Sequence, residues 1–313
     1  MSKKKQKPTV KTPTKSTPFN ERLSLVIPCY NESKRIGNLF STLKTFGSKW
    51  NGPLEIILVD DGRTDDTAKQ AEKYLDGNSS AQLIKLSQNS GKGAALKKGV
   101  EAATGDYVLT LDADMATNPI MLKSWLKSFK SGSFPKDKIL IGSREHEDSK
   151  VEGQPLRRFA GLIFNFIIQL FTNINLPDTQ CGFKLYPAEA AKNLFGKLKT
   201  NGWAHDVELL YRAKLSGLGI KSMPITWTHQ DDSKITLFSD SIKMFWETIK
   251  ISARLNFEYF ITEPLRNWKG KGGEAPIFRF LFLLLAVILF FLMPYVSTDY
   301  AITGDELAQK TYG

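Results

Sequence analysis

Tyr107-Val-Leu-Thr-Leu-Asp-Ala-Asp-Met115 is the stretch that decides the fold of this chain. An apolar run free of charge ends abruptly at two carboxylates one residue apart. Such a run, with no polar alternation, reads as a strand buried on both faces of a parallel sheet. Upstream, Leu23–Tyr30 (LSLVIPCY) and Leu54–Asp60 (LEIILVD) repeat the pattern as first and second strands, and Leu83–Leu86 is a shorter third. Helical spacing lies between them: Ile36, Leu39, Phe40 and Leu43, then a polar helix near Thr67–Leu75, then Gly91–Ala103. Downstream, Pro119–Phe129 suits a helix with proline in its first turn, and Ile139–Gly142 is a fifth strand. Strands alternating with helices predict an α/β, Rossmann-like domain whose mainly parallel sheet carries helices on both faces.

Beyond Arg144 the pattern changes. Leu156–Phe171 (LRRFAGLIFNFIIQLF) is apolar except for Arg157, Arg158, Asn165 and Gln169. Arg158, Asn165, Gln169 and Thr172 share a helical stripe. A core helix and a helix lying in a membrane interface both fit this segment. Ser239–Phe260 is a second amphipathic candidate, with Met244, Phe245, Trp246, Ile249, Ile251 and Leu255 among basic residues. Lys269–Glu274 (KGKGGE) is flexible by composition. Phe280–Val296 is an unbroken apolar run, and extending it to Ile277 adds the single charge of Arg279. That gives ~20 residues, enough to cross a bilayer core of about 30 Å. Arg266, Lys269, Lys271 and Arg279 flank its start, and Lys310 is the one basic residue after it. The positive-inside rule then places the large N-terminal part in the cytoplasm. The predicted organisation is a basic tail over 1–20, a catalytic domain over 21–262 with membrane-interface helices near 156–172 and 239–260, a linker over 263–276, a transmembrane helix over 277–296 and a short tail over 297–313.

The chain has 313 residues and a formal net charge of +11. An excess of that size attracts anions, and Lys3, Lys4, Lys5, Lys7, Lys11 and Lys15 concentrate it in the first eighteen residues without one acid. Proline at 8, 13 and 18 breaks any helix there, so the tail reads as solvated and disordered, with anionic lipid as its natural surface. Two cysteines, Cys29 and Cys181, exclude a disulfide framework and point to reduced thiols. No apolar segment at the N-terminus reads as a signal peptide. There is no Walker A pattern, and GKGAALKKG departs from the dinucleotide fingerprint. His146, His205 and His229 lack metal-site spacing. No aromatic stacking motif for nucleic acid is apparent.

Ligands of an open parallel sheet bind beyond the carboxyl ends of its strands. Here those ends carry Pro28, Tyr30, Asn31 and Glu32, then Asp60 and Asp61, then Asp112-Ala113-Asp114, then Gly142-Ser-Arg144. On an extended segment Asp112 and Asp114 would share a side. Two carboxylates so close repel, and Mg²⁺ or Mn²⁺ relieves the repulsion through hard oxygen ligands. Such a cation bridges diphosphate oxygens and neutralises a departing nucleoside diphosphate. Two readings fit Asp60 and Asp61: a cap for the next helix, or a partner for a ribose or base. Gly91, Lys92 and Gly93 fit either a phosphate cradle of N–H groups and an ammonium or a plain flexible loop.

Taken together, LVIPCYNE, VDDGRTDDT, NSGKGAALKKG, DADMATNP and GSR resemble glycosyltransferase family 2, whose catalytic domain has the GT-A fold. The resemblance covers about residues 22 to 260. DTQCGFKLYP (178–187), GWAHDVELLY (202–211) and DDSKITLF (231–238) look like its dolichyl-phosphate glucosyltransferase branch. It implies that Pro28, Tyr30, Glu32 and Asp60 line a nucleoside pocket, with Asp61, Lys92 and Ala113 also on the donor side. Asp112 and Asp114 would hold metal and diphosphate, Arg144 and Lys234 would meet phosphates, and Arg157 and Arg158 would grip a lipid phosphate. Asp178, Gln180, Cys181 and Asp206 would shape the acceptor side. Arg63 stands where the family often has Ser; Ala116 stands where mannosyl enzymes often carry Gln and glucosyl enzymes Ala.

The expected activity is an inverting, metal-dependent hexosyl transfer, glucose from UDP-glucose to a polyprenyl phosphate, at the cytoplasmic face of a membrane. A C-terminal apolar run, where eukaryotic glucosyl enzymes carry theirs N-terminally, implies a bacterial relative using undecaprenyl phosphate. The alternatives are transfer to a glycan hydroxyl, for which Asp206 would be the base, and transfer from GDP-mannose. A decayed scaffold and a nucleic-acid binder are weaker, given intact Asp112, Asp114, Arg144 and Lys234.

Overall fold

A computed structural model describes residues 19–62, 65–152, 155–229 and 237–262, with Leu281, Leu284 and Leu285; for 155–160, 237–242 and 261 it describes backbone alone. The expected basic tail up to residue 18, Arg63, Lys234 and nearly all of the 277–296 run lie outside the described residues. Among the described residues no helix is long and apolar enough to cross a membrane. The chain divides into two compact units, 1–248 and 249–313. The first holds the sheet.

In chain order the elements are β1 (Leu23–Cys29), α1 (Ile36–Lys49), β2 (Leu54–Asp60), α2 (Thr67–Leu75), β3 (Ala81–Lys85), α3 (Lys92–Ala102), β4 (Tyr107–Thr110), α4 (Met121–Ser128) and β5 (Lys138–Ser143). There follow β6 (Lys150–Glu152), α5 (Pro155–Thr172), β7 (Lys184–Pro187), α6 (Ala188–Gly196), α7 (His205–Leu215), β8 (Gly219–Pro224), β9 (Thr226–Thr228) and α8 (Leu237–Phe257), which ends in a π-turn over Glu258–Thr262. The seven-stranded sheet has the order β3-β2-β1-β4-β7-β5-β8. The order reverses between β1 and β4, the switch point at which open α/β sheets bind ligands.

The five predicted strands and their crossover helices are all present. Helix α1 buries Ile36, Leu39, Leu43 and Phe46, a stripe at helical spacing, and each fully buried side chain of this size stabilises by about 1.5–3 kcal/mol. Helix α3 lies unusually close to the sheet. A Cβ at Gly99 would sit 2.3 Å from Val26 Cγ1 and 3.0 Å from Val59 Cγ2, so only glycine allows that approach. It fixes the N-terminus of α3, and hence Lys92, above the carboxyl ends of β1 and β2.

The sheet departs from the expectation at β7, which runs antiparallel to both β4 and β5. Its Lys184 pairs with Thr110 and with Ile141. Reversal matters here: the beginning of β7, not its end, lies level with the carboxyl ends of its neighbours. The segment Asp178–Phe183 is thereby delivered to the crevice beside Asp112. A small parallel pair, β6 with β9, adds a ribbon next to it; Thr228 N donates to Ala116 O at 3.0 Å.

Helix α5 has a mixed inner face and an apolar outer stripe: Asn165, 8% exposed, and Thr172, 2%, are buried together with Phe164 and Ile168, whereas Phe166 is 64% and Leu170 68% exposed. Leu162 and Ile163 are exposed beside them. Asn165 Nδ2 donates to Leu176 O at 2.8 Å and Pro177 O at 3.1 Å, and Gln169 Nε2 to Leu176 O at 3.1 Å. The segment thus turns apolar side chains outward as well as inward. In α8, Trp246 is exposed, and so are Phe257, Tyr259 and Phe260 at and beyond its end. Urea denaturation checks the α5 assignment. Phe166→Glu and Leu170→Glu are expected to change stability by less than about 0.5 kcal/mol, while Ile168→Ala, at a fully buried position, is expected to remove about 2–5 kcal/mol.

Candidate active site

Strand β4 ends at Thr110, and the acidic pair lies on the turn that follows. The two carboxylates are therefore not carried on an extended segment as expected. Met115 N donates to Asp112 O at 3.2 Å and Met115 has φ 55°, so a tight turn folds Asp114 back beside Asp112. Asp114 Oδ1 accepts from Ala116 N at 3.0 Å, which fixes its side chain, and Ala113 between them is buried. Burial and the neighbouring Asp112 charge push the Asp114 carboxyl above its ordinary value. Among the described residues no group of three or more His, Cys, Asp or Glu side chains comes together as a closed cage. Two crowded carboxylates fit a hard divalent cation that takes its other ligands from phosphate and water.

Lys92 reaches this pair from α3. Its Nζ lies 2.5 Å from Asp112 Oδ1 and 5.3 Å from the centroid of the Trp203 ring. Burial favours neutral forms here, but the Lys92 charge outweighs it and holds Asp112 below the usual carboxylate range. Likewise Asp112 and Asp206 outweigh burial and hold the Lys92 ammonium above its ordinary value.

The expected cradle of N–H groups before α3 is not available to phosphate. Ser90 N and Gly91 N donate to the Asp61 carboxylate at 2.7 and 2.9 Å, and Gly93 N donates to Asn201 O at 2.7 Å. Asp61 does not cap α2; each of its oxygens accepts from the loop that carries Lys92. Glu32, expected in the nucleoside pocket, is forked by Arg35, whose Nη2 donates to Oε1 at 2.9 Å and whose Nε bonds Oε2. Pro28 and Tyr30 are half-buried at the end of β1, where Cys29 pairs with a buried Asp60.

Below Asp112 lies a second buried ion pair. Lys184 Nζ, 1% exposed, donates to Asp206 Oδ1 at 2.7 Å and to Cys181 O at 2.5 Å. His205 stands beside them, with Nε2 3.5 Å from the same oxygen. Its Nδ1 donates to Gly202 O at 2.9 Å, since a carbonyl can only accept. Burial, with help from the two nearby lysines, lowers its pKa and favours the neutral ring. Asp206 is buried with the Lys184 ammonium as its direct partner.

Arg144 is held by Asp178. Nε donates to Oδ2 at 2.7 Å, Nη2 to Oδ1 at 3.0 Å and the backbone N to Oδ2 at 3.0 Å. Asp178 is 5% exposed, and both its oxygens accept from Arg144, which aims the guanidinium. The far side of Arg144 packs over Trp227 at 5.9 Å, and Trp227 bridges to Thr117 in the acidic loop. Cys181 is buried, and burial with the Asp178 charge pushes its thiol up to about 12; it is a packing group. Gln180 is half-buried and its N–H donates to Asp178 Oδ1. Arg157 and Arg158 belong to α5, but their side chains lie outside the described residues, as does Lys234.

The structure therefore joins Asp112, Asp114 and Lys92, brings the Lys184–Asp206 pair within reach of their charges, and links Arg144 through Trp227 to Thr117 in the acidic loop. Sequence reading missed Lys184, Trp203 and Gly182. A Cβ at Gly182 would lie 2.4 Å from Asp112 Oδ2, so the acidic side chain rests against bare backbone. The obstructed atom is a side-chain tip, which can move without unfolding the protein. Gly182→Ala is accordingly expected to swing Asp112 aside: Mn²⁺ affinity, read by electron paramagnetic resonance, falls at least about tenfold, with a melting temperature within a few degrees of the parent.

Comparison with known proteins places this arrangement. The model of glycosyl transferase family 2 matches residues 24–195. A dolichyl-phosphate beta-glucosyltransferase of Dictyostelium discoideum is 35% identical over 81% of this chain and 78% of its own. The Saccharomyces cerevisiae protein of that name is 36% identical over 71% of each chain, and the Homo sapiens one 33% identical over 75% and 76%. Among solved structures, glucosyl-3-phosphoglycerate synthase from Mycobacterium tuberculosis, in complex with Mn²⁺, UDP and glucosyl-3-phosphoglycerate, superposes with a TM-score of 0.54 at 18% identity. It covers 76% of this chain and 80% of that one. The likeness extends to the mixed sheet and its helices, so the fold is GT-A. With more than half of its length matched by the family model, the chain belongs to glycosyltransferase family 2.

Proposed function

We propose that this protein transfers glucose from UDP-glucose to a polyprenyl phosphate, inverting the anomeric centre, at a membrane surface. The names of the similar proteins supply the sugar and the class of acceptor. The observation that carries the reading is the buried pair of Lys184 and Asp206. A hydroxyl acceptor needs a base to take its proton. The family's usual candidate is here locked to an ammonium. A phosphate monoester needs no such base, because its second pKa is about 6 and it is already an anionic nucleophile at pH 7.

In the reaction, an acceptor phosphate oxygen forms a bond to the anomeric carbon from the face opposite the leaving group. The bond from that carbon to the donor's β-phosphate oxygen breaks, UDP departs, and no proton moves. Asp112 and Asp114 would hold Mg²⁺ or Mn²⁺, which supplies charge neutralisation to the diphosphate. Arg144, aimed by Asp178, presents its free edge to phosphate, and Arg157 and Arg158 at the start of α5 are assigned to the lipid headgroup. Positioning and preorganised charge supply the rate. The outward apolar face of α5 fits a membrane interface. In this reading the apolar sequence over 277–296 is a single transmembrane anchor that keeps the catalytic unit on the cytoplasmic side.

Purified full chain with radiolabelled UDP-glucose, Mg²⁺ and polyprenyl phosphate is expected to put label into the lipid fraction, and free glycan acceptors to stay unlabelled. Lys184→Gln combined with Asp206→Asn removes the pair without leaving a lone buried charge. Its kcat is expected to stay within about tenfold of the parent. A loss of about 10²–10⁴, the usual contribution of a general base, would assign proton transfer to Asp206 and reject the phosphate reading. Phe166→Glu with Leu170→Glu is expected to raise the KM for vesicle-borne polyprenyl phosphate at least about tenfold, since each buried apolar group is worth about 1.5–3 kcal/mol. The KM for UDP-glucose should not move.

A further inference from the structure

Lys92 is held in a way that its neighbours are not. The backbone on both sides of it is fastened: Ser90 N and Gly91 N to Asp61, Gly93 N and Ala94 N to Asn201 O. The side chain, by contrast, rests on two contacts, the Asp112 carboxylate and the face of Trp203. A long flexible stem on a fixed base can move its ammonium by several ångströms while the fold stays as it is. Lys184 differs, being sealed in and doubly bonded.

The carboxylate that Lys92 occupies is the one a divalent cation needs. Asp112 is the more open member of this ion pair, with its side chain 39% exposed against 16% for Lys92. A metal arriving alone must therefore displace an ammonium that already satisfies Asp112. A metal arriving with a diphosphate meets a different balance, because the phosphate oxygens offer the displaced ammonium a new partner. Charge-assisted bonds to carboxylate and to phosphate are of similar strength, so the exchange is close to even.

We propose that Lys92 is an exchangeable counter-cation of Asp112, which holds the metal site closed until the donor's diphosphate draws the ammonium away, so that metal and donor load as a unit. The proposal rests on the assignment of Asp112 and Asp114 to metal. It makes metal and nucleotide affinities mutually dependent, and by linkage each must strengthen the other by the same factor. A transferase built so does not retain bare metal in a site that would otherwise offer a Lewis acid to water or to the wrong phosphate.

Mn²⁺ titration followed by electron paramagnetic resonance, with and without saturating UDP, tests this on the purified full chain. The set is the parent, Lys92→Met and Lys92→Arg, with melting temperatures to confirm folding. In the parent, UDP is expected to tighten Mn²⁺ binding about 5–150-fold, the usual range of coupling. Lys92→Met is expected to bind Mn²⁺ alone at least about fivefold more tightly than the parent and to lose most of the UDP effect. Lys92→Arg, which keeps the charge, is expected to follow the parent. If Lys92→Met binds Mn²⁺ alone no more tightly than the parent, the counter-cation role is overturned while the metal site stands. If Lys92→Met does not fold, Lys92→Arg decides: its guanidinium must reproduce the UDP dependence, and a loss of that dependence overturns the proposal. If Mn²⁺ binds to none of them under either condition, both the proposal and the metal assignment fall.

Discussion

Carboxylates crowded at the end of a buried strand repel one another, and the crevice beyond β4 is organised around that repulsion. Two like charges about 4 Å apart oppose each other by about 4 kcal/mol at the effective dielectric of a protein surface. Asp112, Asp114 and Asp206 are brought together nonetheless, and two lysines compensate them, Lys92 and Lys184. Each depends on a separate feature of the fold. Lys184 is there because β7 runs against its neighbours and so starts where they end. Lys92 is there because Gly99 lets α3 settle onto Val26 and Val59. The Lys92 charge, helped by that of Lys184, favours the ionised form of Asp112 against burial, and ionised oxygens are what a divalent cation requires.

The parallel half of the sheet was legible because its strands are apolar runs that end in chemistry-bearing residues. β7 was not. It is four residues long and begins with a lysine, too short and mixed for its pattern to mark a strand, although all four residues are buried. A charge in mid-sheet is interpretable only when its partner is known, and Asp206 lies 22 residues away. The same reason hid the duties of Asp61 and Asp178. Asp61 looks like a ligand-binding carboxylate from its place at a strand end, and Asp178 from its place in a family motif. Their partners, Ser90 and Gly91 in one case and Arg144 in the other, are 29, 30 and 34 residues distant. Local pattern points to the candidate site, and long-range pairing shows which of its groups hold others in place.

Helix α5 shows a different limit. The stripe of Asn165, Gln169 and Thr172 is visible in the sequence, but a stripe says only that a helix has two faces. Which face turns inward depends on what the interior offers. Here it offers the carbonyls of Leu176 and Pro177, left without strand partners in the loop before β7, and Asn165 and Gln169 satisfy them. Buried backbone acceptors of this kind are almost always paired, so Asn165 and Gln169 are drawn in beside Phe164 and Ile168, while Phe166 and Leu170 are left outside.

That loop connects the outer helix to the chemistry. Asn165 fixes the carbonyls of Leu176 and Pro177 and accepts from Thr179 Oγ1 at 3.0 Å. Between them stands Asp178, whose carboxylate aims Arg144. A side chain on the inner face of α5 thus sets the place of the residue that sets the place of the guanidinium. Hydrogen bonds thus run without a break from Asn165 on α5, through the loop, to Arg144. In the proposed reaction the outer face of α5 meets the lipid and Arg144 meets its phosphate, so one rigid chain of contacts registers the apolar and the charged ends of a single acceptor. An acceptor with a sugar hydroxyl in free solution would have no use for either end of that arrangement.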